Sequence, residues 1–283
     1  MISNKHEASI SKFILLPIVV WVVIILAFLN VKNLPYSFSD NDYIVVRYLV
    51  KLVFTILLPL VLINLLYKNT SPFGIHFPPL KTSFQLSFRA YAVGGPAGIT
   101  FLIIGLIGWS FTNWPGTITL SLVYLIVFYF VPKVTRSLPT RSEITSSNPL
   151  LDIVIICSVC TVLLVYFTYS YVPVLSKILY YIFIVGFGEE LLFRGYIQSA
   201  FNQYFGKPFT IGNVAVGWGL FLSAFLFGLM HALVAVPTLW PWAIFTFVLG
   251  LTLGYIREKD GSVLAPALLH AMLDLPLVFF SAT

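Results

Sequence analysis

The sequence predicts an all-α, polytopic membrane protein with eight or nine transmembrane helices. Hydrophobic side chains make up 59% of the 283 residues and charged ones 9%, whereas soluble domains carry roughly 25% charged residues. The mean hydropathy is +0.97. Apolar segments of about the length that crosses a bilayer recur along the whole chain. We therefore expect lipid to be the solvent for most of this protein.

Nine segments qualify as spans, or nearly do. The fourth and the eighth are short, so eight spans remain open as an alternative. The first segment follows Lys5 and Lys12 as a signal peptide would, but no small-x-small cleavage site precedes Lys32, so we interpret it as a retained helix. The segments are 13–29, 44–66, 90–111, 117–131, 153–171, 178–198, 214–236, 241–256 and 263–280.

The distribution of Lys and Arg predicts the topology. Sequential loops lie on opposite sides of a membrane, and the cytoplasmic loops hold most of the basic residues. This favours a cytoplasmic N-terminus and, with nine spans, an external C-terminus. The formal charge of +6 then reflects topology, and we expect no nucleic-acid partner. The basic residues assigned to the cytoplasmic side are Lys5, Lys12, Lys68, Lys81, Arg89, Lys133, Arg136, Arg141, Lys207, Arg257 and Lys259.

Small residues in the spans are interpreted as packing residues. Cys157 and Cys160 form a C-x-x-C spacing inside an apolar run with no second pair, so we predict no disulfide and no metal there. Gly250 and Gly254 stand at the small-xxx-small spacing that lets helices approach closely, and so do Gly94 and Gly98.

Ionisable residues are concentrated in the last four apolar segments. Each costs about 2.5 to 3.5 kcal/mol inside a membrane, so such residues are functional or paired. We therefore divide the chain into N-terminal transmembrane helices over 1–150, with no assigned role, and a helical catalytic core over 151–283. The residues concerned are Glu189, Glu190, Arg194, His231, His270 and Asp274.

Spacing along the helices suggests what these groups do. Glu190 and Arg194 are four residues apart and can neutralise one another. Glu189 then points elsewhere without a local partner, which suits a general base. His270 and Asp274 are also four apart, so the carboxylate could fix the imidazole tautomer or share a ligand with it. Catalysis is the favoured interpretation, with a proton or ion pathway and structural polar packing as alternatives.

Three short motifs occur in order on successive apolar segments. Residues 188–195 match E-E-x-x-x-R, residues 227–231 match F-x-x-x-H, and residues 270–274 match H-x-x-x-N/D. Together they make the chain resemble, over about 178–280, the CPBP (Abi) family. That family comprises the type II CAAX prenyl proteases and the bacteriocin-processing intramembrane proteases.

The resemblance implies a membrane endopeptidase with a conical cavity open to the cytoplasm. In this reading Glu189 activates a water molecule with help from His231, while His270 and Asp274 bind the oxyanion of the tetrahedral intermediate. Glu190, Arg194 and Phe227 would be supporting residues, and Glu190 and Arg194 would form a structural ion pair. The best-known eukaryotic members have Asn in the last motif. An Asp at that position donates a hydrogen bond only when it is protonated.

Depth in the membrane makes a further prediction. Catalytic groups must lie at one level, yet His231 is about seventeen residues from Val214, while Glu189 and His270 are about nine and seven residues from their cytoplasmic helix ends. We therefore expect the seventh helix to begin near Leu220.

The sequence also leads to expectations about the cofactor, the substrate and the location. Two histidines and a carboxylate also resemble a zinc site, but H-E-x-x-H is absent, so metal-independent hydrolysis is favoured and zinc is the alternative. The expected partners are membrane lipids and a peptide or membrane-protein substrate; a prenylated C-terminus and a bacteriocin precursor would both suit. The expected location is the plasma membrane of a prokaryote. A transporter, or a non-catalytic immunity or scaffold protein, is the alternative class.

Overall fold

The computed structural model describes residues 9–31, 39–67, 70–76, 79–140, 150–170, 173–234, 240–276 and 278. These residues form nine longer helical segments and one short 3₁₀ helix, Ser71–Phe73, which agrees with the predicted all-α class. The segments are α1 (Ser11–Val31), α2 (40–66), α3 (Leu80–Leu106), α4 (Trp114–Val134), α5 (Leu150–Tyr169), α6 (173–205), α7 (Trp218–Val234), α8 (Trp242–Asp260) and α9 (Leu264–Asp274).

Four helices of the described residues are long and apolar enough to cross a membrane, namely α1 to α4. Shorter apolar helices cover Ile155–Tyr169, Trp218–Val234 and Leu264–Asp274. The chain is thus an integral membrane protein by the length and composition of its helices. The count of eight or nine spans stays a prediction.

Several helices contain π-helical stretches, in which each turn is one residue wider. They cover Ser11–Leu15 in α1, Leu52–Leu57 in α2, and Tyr180–Phe187 and Leu191–Ile197 in α6. The two stretches in α6 flank a single ordinary turn, Gly188–Glu190. π-Helical turns are rare in proteins, and those that do occur are often found at functional sites.

A short β-hairpin precedes α7. Strands β1 (Phe209–Ile211) and β2 (Val214–Val216) pair antiparallel across a two-residue turn. Gly212 in that turn has φ +61°, which glycine adopts without strain. The predicted start of the seventh span at Val214 is therefore wrong, because Val214 lies in a strand and the helix begins at Trp218. The start near Leu220 that the depth argument required is close to this position.

The apolar core consists of two clusters. One joins α1, α2, α6 and α7 around residues such as Ile24, Ile56 and Phe193. The other joins α3, α4, α7, α8 and α9 around residues such as Leu253 and Leu269. Helix α7 contributes residues to both clusters. The ionisable residues noted above lie on α6, α7 and α9.

Four consecutive charged residues end α8, and we call them the anchor cluster: Arg257, Glu258, Lys259 and Asp260. All four are buried, with exposed fractions of 0 to 6%. The topology prediction assigned Arg257 and Lys259 to a cytoplasmic loop. In the structure they are instead buried at the end of α8. Their partners are Pro72 O for Arg257, Gln198, Asn202 and Lys207 for Glu258, Leu138 O, Thr140 and Asn213 for Lys259, and Ser83 for Asp260.

These contacts gather several loops at one end of the helical bundle. The segments around residues 72, 83, 138 and 207 all touch the anchor cluster. The N-terminal part of α1 reaches the same region, since Tyr67 donates to Lys12 O at 2.9 Å and its ring lies 4.5 Å from that of Phe73. The described parts of the loops that were assigned to the cytoplasmic side thus lie at one end of the molecule.

Glycines in α8 permit a close approach to α7. A Cβ atom at Gly250 would lie 3.1 Å from Ala224, and one at Gly254 would lie 3.0 Å from Leu220 Cγ. Such contacts are tighter than side chains normally make. The close approach predicted from the spacing of these two glycines is therefore present. Gly94 makes only ordinary contacts, at 3.7 Å from Leu273 and Val127.

Candidate active site

Two glycines in α6 bring neighbouring helices close to the paired glutamates. A Cβ atom at Gly186 would lie 3.0 Å from Ala271 Cβ on α9, and one at Gly188 would lie 2.6 Å from Thr55 Oγ1 on α2. A side chain at Gly188 would force Thr55 to shift, and one at Gly186 would make a tighter contact than side chains normally do. Helices α2 and α9 therefore reach the turn that carries Glu189 and Glu190.

Glu190 is fully buried and joins two cationic or titratable groups through one oxygen. Its Oε1 accepts from Arg194 Nη1 at 2.8 Å and lies 2.9 Å from His270 Nδ1. Arg194 also donates to Gly250 O at 3.2 Å, which ties the pair to α8. The predicted ion pair of Glu190 and Arg194 is thus present, and a third member from α9 joins it.

The contact with Glu190 orients the His270 ring. Its other nitrogen, Nε2, lies 3.5 Å from Asp274 Oδ2, longer than a good hydrogen bond. The sequence suggested that Asp274 could fix the tautomer of this ring or share a ligand with it. In the structure the short contact comes from Glu190, while Asp274 faces Nε2 from one turn further along α9.

Phe227 lies at the centre of these groups. Its ring centroid is 5.0 Å from that of Phe193, 4.6 Å from His231 and 6.0 Å from His270. The guanidinium carbon of Arg194 is 4.5 Å from the same ring, a distance at which a cation is attracted to the aromatic face. The residue predicted to support the site is therefore in contact with both histidines and the arginine.

The contacts of His231 define its tautomer. Nδ1 lies 2.8 Å from Phe227 O. A carbonyl oxygen can only accept, so Nδ1 carries the proton, and Nε2 of the neutral ring is an acceptor. The ring edge also meets Trp242 on α8, with centroids 4.9 Å apart.

Glu189 pairs with a residue that is distant from it in the sequence. Lys51 Nζ on α2 donates to its Oε1 at 2.8 Å. Its second oxygen, Oε2, is buried with no hydrogen-bond partner among the described residues. The carboxylate interacts electrostatically with His231 and His270 as well. We call Glu189, Glu190, Arg194, His231 and His270 the central cluster.

The hydrogen bond between Asn202 Oδ1 and Gly219 N, at 2.9 Å, fixes the level of α6 against α7. Glu189 lies thirteen residues before Asn202, and His231 lies twelve residues after Gly219. At about 1.5 Å per residue, both lie on the order of 20 Å from that bond. The two residues are therefore at the same depth, as a joint role in one site requires.

The arrangement of the histidines bears on the zinc alternative. No three His, Cys, Asp or Glu residues in the described parts of the chain are placed to hold one. Each histidine directs Nδ1 at an acceptor, Phe227 O for His231 and Glu190 Oε1 for His270, so that Nε2 of a neutral ring keeps its lone pair, as it does in a histidine that binds zinc. Zinc is therefore retained as the alternative.

Sequence reasoning missed the ion pair between Lys51 and Glu189. Lys51 was noticeable as a charge within an apolar helix, but 138 positions separate the two residues, and spacing carries no information over that range. Gly188 could not be recognised either, because its role depends on Thr55 of another helix.

Together, fold and site define a helical integral membrane protein with a buried cluster of carboxylates and histidines. Residues 171–276 match the family model described as type II CAAX prenyl endopeptidase Rce1-like. This match confirms the resemblance to the CPBP and CAAX protease family for that part of the chain, and it supports a protease. It includes the whole central cluster but not Lys51. No curated protein and no solved structure matches the chain.

Proposed function

We propose that this protein is an intramembrane endopeptidase that hydrolyses a peptide bond near the cytoplasmic face, with a water molecule activated by Glu189. The observation that carries the proposal is the state of Glu189 itself. Its side chain is almost completely buried, one oxygen is held by Lys51, and Oε2 has no hydrogen-bond partner in the described part of the chain. A buried, unpaired carboxylate oxygen needs a donor, and water is the donor that hydrolysis requires.

The proposed reaction begins with proton transfer from this water to Glu189 Oε2. The water oxygen attacks the carbonyl carbon of the scissile bond, and the C=O electrons move onto the oxygen. His231 contributes through Nε2, which can accept a hydrogen bond from the same water because Nδ1 is bonded to Phe227 O. The intermediate collapses as the C–N bond breaks, and the proton on Glu189 passes to the leaving amine nitrogen.

His270 and Asp274 are proposed to stabilise the oxyanion. With Nδ1 directed at Glu190, His270 donates from Nε2 only when the ring is protonated. Carboxylates at both nitrogens, from Glu190 and Asp274, stabilise that positively charged ring. The ring then supplies the donor and the positive charge that the developing oxyanion needs.

The substrate class and the orientation belong to the same proposal. The substrate is a peptide or membrane-protein segment, and a prenylated C-terminus is the first candidate because the matching family model is one of CAAX prenyl endopeptidases. The protein lies in the plasma membrane of a prokaryote with its N-terminus in the cytoplasm.

Glutamine at position 189 tests the base. Glu189→Gln keeps the size and polarity of the side chain but removes its basicity, so cleavage of a farnesylated peptide with a C-terminal CAAX sequence should fall by about 10²-fold or more. Asp42→Asn, at the start of α2, is the matched control and should cleave as the parent does. Equal cleavage by Glu189→Gln and the parent would rule out Glu189 as the base. If the parent does not cleave this peptide, proteomics of cells with the parent and with Glu189→Gln identifies the substrate, and no difference between them contradicts the proposal.

Thiol labelling tests the orientation. Single cysteines at Lys81 and Arg136, both exposed, are introduced into a Cys157→Ser, Cys160→Ser background. Both should be protected from an impermeant reagent in intact cells and labelled after lysis. Labelling of both in intact cells would invert the topology. Arg257 is unsuitable for this experiment because its side chain is buried.

A further inference from the structure

Lys51 is an unusual residue for its place in the chain. It ends the first part of α2, directly before the π-helical stretch Leu52–Leu57, and its neighbours over 52–63 are almost all apolar. A charged side chain in such a helix is costly unless it is paired. The oxygen that pairs with it belongs to the proposed general base.

The neighbours of Lys51 hold its ammonium group in a defined position. Thr55 donates to Lys51 O at 2.7 Å and packs against the space left by Gly188. The ammonium lies 5.2 Å from the ring centroid of Tyr180, and that ring stacks on Tyr48 at 4.6 Å. Contacts with α2 itself and with α6 thus position the Nζ atom.

The charged and titratable groups around Glu189 come from four helices. Lys51 is on α2, His231 on α7 and His270 on α9, and Arg194 is on α6 with Glu189 itself. Of these, Lys51 makes the direct hydrogen bond to Glu189 found in the described residues. It occupies Oε1, so it determines that Oε2 is the oxygen left for another donor.

We propose that Lys51 is a positioning residue of the active site, which anchors Oε1 of Glu189, keeps the side chain as a carboxylate and directs Oε2 toward the attacking water. This inference rests on the proposed function. Lys51 lies 120 positions before the segment that matches the family model. The N-terminal helices would therefore complete the site, and the segment 171–276 alone would not contain it.

The kinetic constants of charge-removing variants test this role. Lys51→Met removes the ammonium but keeps most of the apolar stem, and kcat should fall by about 10- to 100-fold, the effect of losing one charge-assisted hydrogen bond. KM should stay within about twofold, because a residue that acts on the base affects the chemical step more than binding. Lys51→Arg keeps the charge and should recover most of the lost kcat.

The matched control is Arg47→Met, which removes the same charge one turn earlier on α2 from an exposed position. It should leave kcat and KM at the parent values. Lys51→Gln is measured as well, because it keeps an N–H donor for Glu189 and provides a second neutral variant if Lys51→Met does not fold. It should give an intermediate kcat. Adding Lys51→Met to Glu189→Gln should cause no further loss, because the base is already absent.

Three results would overturn the inference. They are a kcat of Lys51→Met or Lys51→Gln equal to or above that of the parent, a Lys51→Arg variant that is folded but as slow as Lys51→Met, and a defect confined to KM. A fully active Glu189→Gln variant would instead overturn the proposed function. The two failures are therefore distinguishable in one set of measurements.

Discussion

The anchor cluster and the central cluster are both groups of buried charged residues, but their polar atoms are used differently. In the anchor cluster all oxygens of Glu258 and Asp260 have partners, and Lys259 donates to three oxygens, while Arg257 Nε has no hydrogen-bond partner in the described residues. In the central cluster Glu189 and Glu190 each have one oxygen in contact and one without a hydrogen-bond partner in the described residues. Both clusters bury charge, and they differ in whether every carboxylate oxygen has a hydrogen-bond partner.

This difference indicates what each cluster does. Fully partnered carboxylates hold the elements that they join, and the anchor cluster joins several loops to the end of α8. A buried polar atom without a partner costs free energy, so it persists where a function requires it. We therefore expect variants of the anchor cluster to change stability and leave kcat unaltered, and variants of the central cluster to change kcat beyond any effect on stability.

The largest effect is expected from Glu190→Gln. This change leaves the Arg194 guanidinium without a countercharge in a site with no exposure, which costs about 3 to 5 kcal/mol of stability. Thermal unfolding in detergent measures the loss. It also removes one of the two carboxylates that stabilise a protonated His270, so activity should fall as well.

A double variant separates the two effects of Glu190. Glu190→Gln combined with Arg194→Met removes both charges and should recover most of the stability, because a neutral replacement of a buried ion pair is often tolerated. Its activity should stay at least about tenfold below that of the parent. Recovery of full activity along with stability would show that Glu190 is only structural and would remove it from the central cluster.

A smaller effect, on stability alone, is expected from Lys259→Met. The change removes charge-assisted hydrogen bonds to Leu138 O, Thr140 and Asn213 while filling the same space, and should cost about 1 to 3 kcal/mol. The kcat of the folded variant should equal that of the parent. If the variant is fully folded and its kcat is nevertheless reduced, the anchor cluster is not purely structural.

Lys207→Met is the matched control for this measurement. Lys207 forms an ion pair with Glu258 at 2.6 Å, but its side chain is 46% exposed. An exposed ion pair contributes about 1 kcal/mol or less. The control should therefore unfold close to the parent, which would show that burial of the cation determines the effect.

The sequence predicted the elements that depend on composition and local spacing. Ionisable residues stand out in apolar helices, so the members of the central cluster could be named, and the spacing of Glu190 and Arg194 predicted their ion pair. The hairpin was missed because its short strands, such as Val214–Val216, continue the apolar pattern of α7. The burial of Arg257 and Lys259 was missed because it depends on acceptors from distant loops, such as Pro72 O and Leu138 O. Catalytic roles and the division at residue 150 stay predictions.

The smallest effect is expected from Asp274→Asn. Oδ2 of Asp274 lies 3.5 Å from His270 Nε2, whereas Glu190 is 2.9 Å from Nδ1, so Glu190 orients the ring. An amide oxygen can still accept from Nε2, and kcat should change by no more than about tenfold, the range of one ordinary hydrogen bond. Under the zinc alternative the same change would remove a ligand and weaken metal binding and activity together. The experiment compares cleavage by the purified parent and by Asp274→Asn before and after exhaustive chelation, with the metal content determined on the same samples. We expect both proteins to keep their activity after chelation. Stoichiometric zinc, with activity lost on its removal and restored on its return, would replace the proposed mechanism with a metal-dependent one, because the paired carboxylates would then act on a metal-bound water.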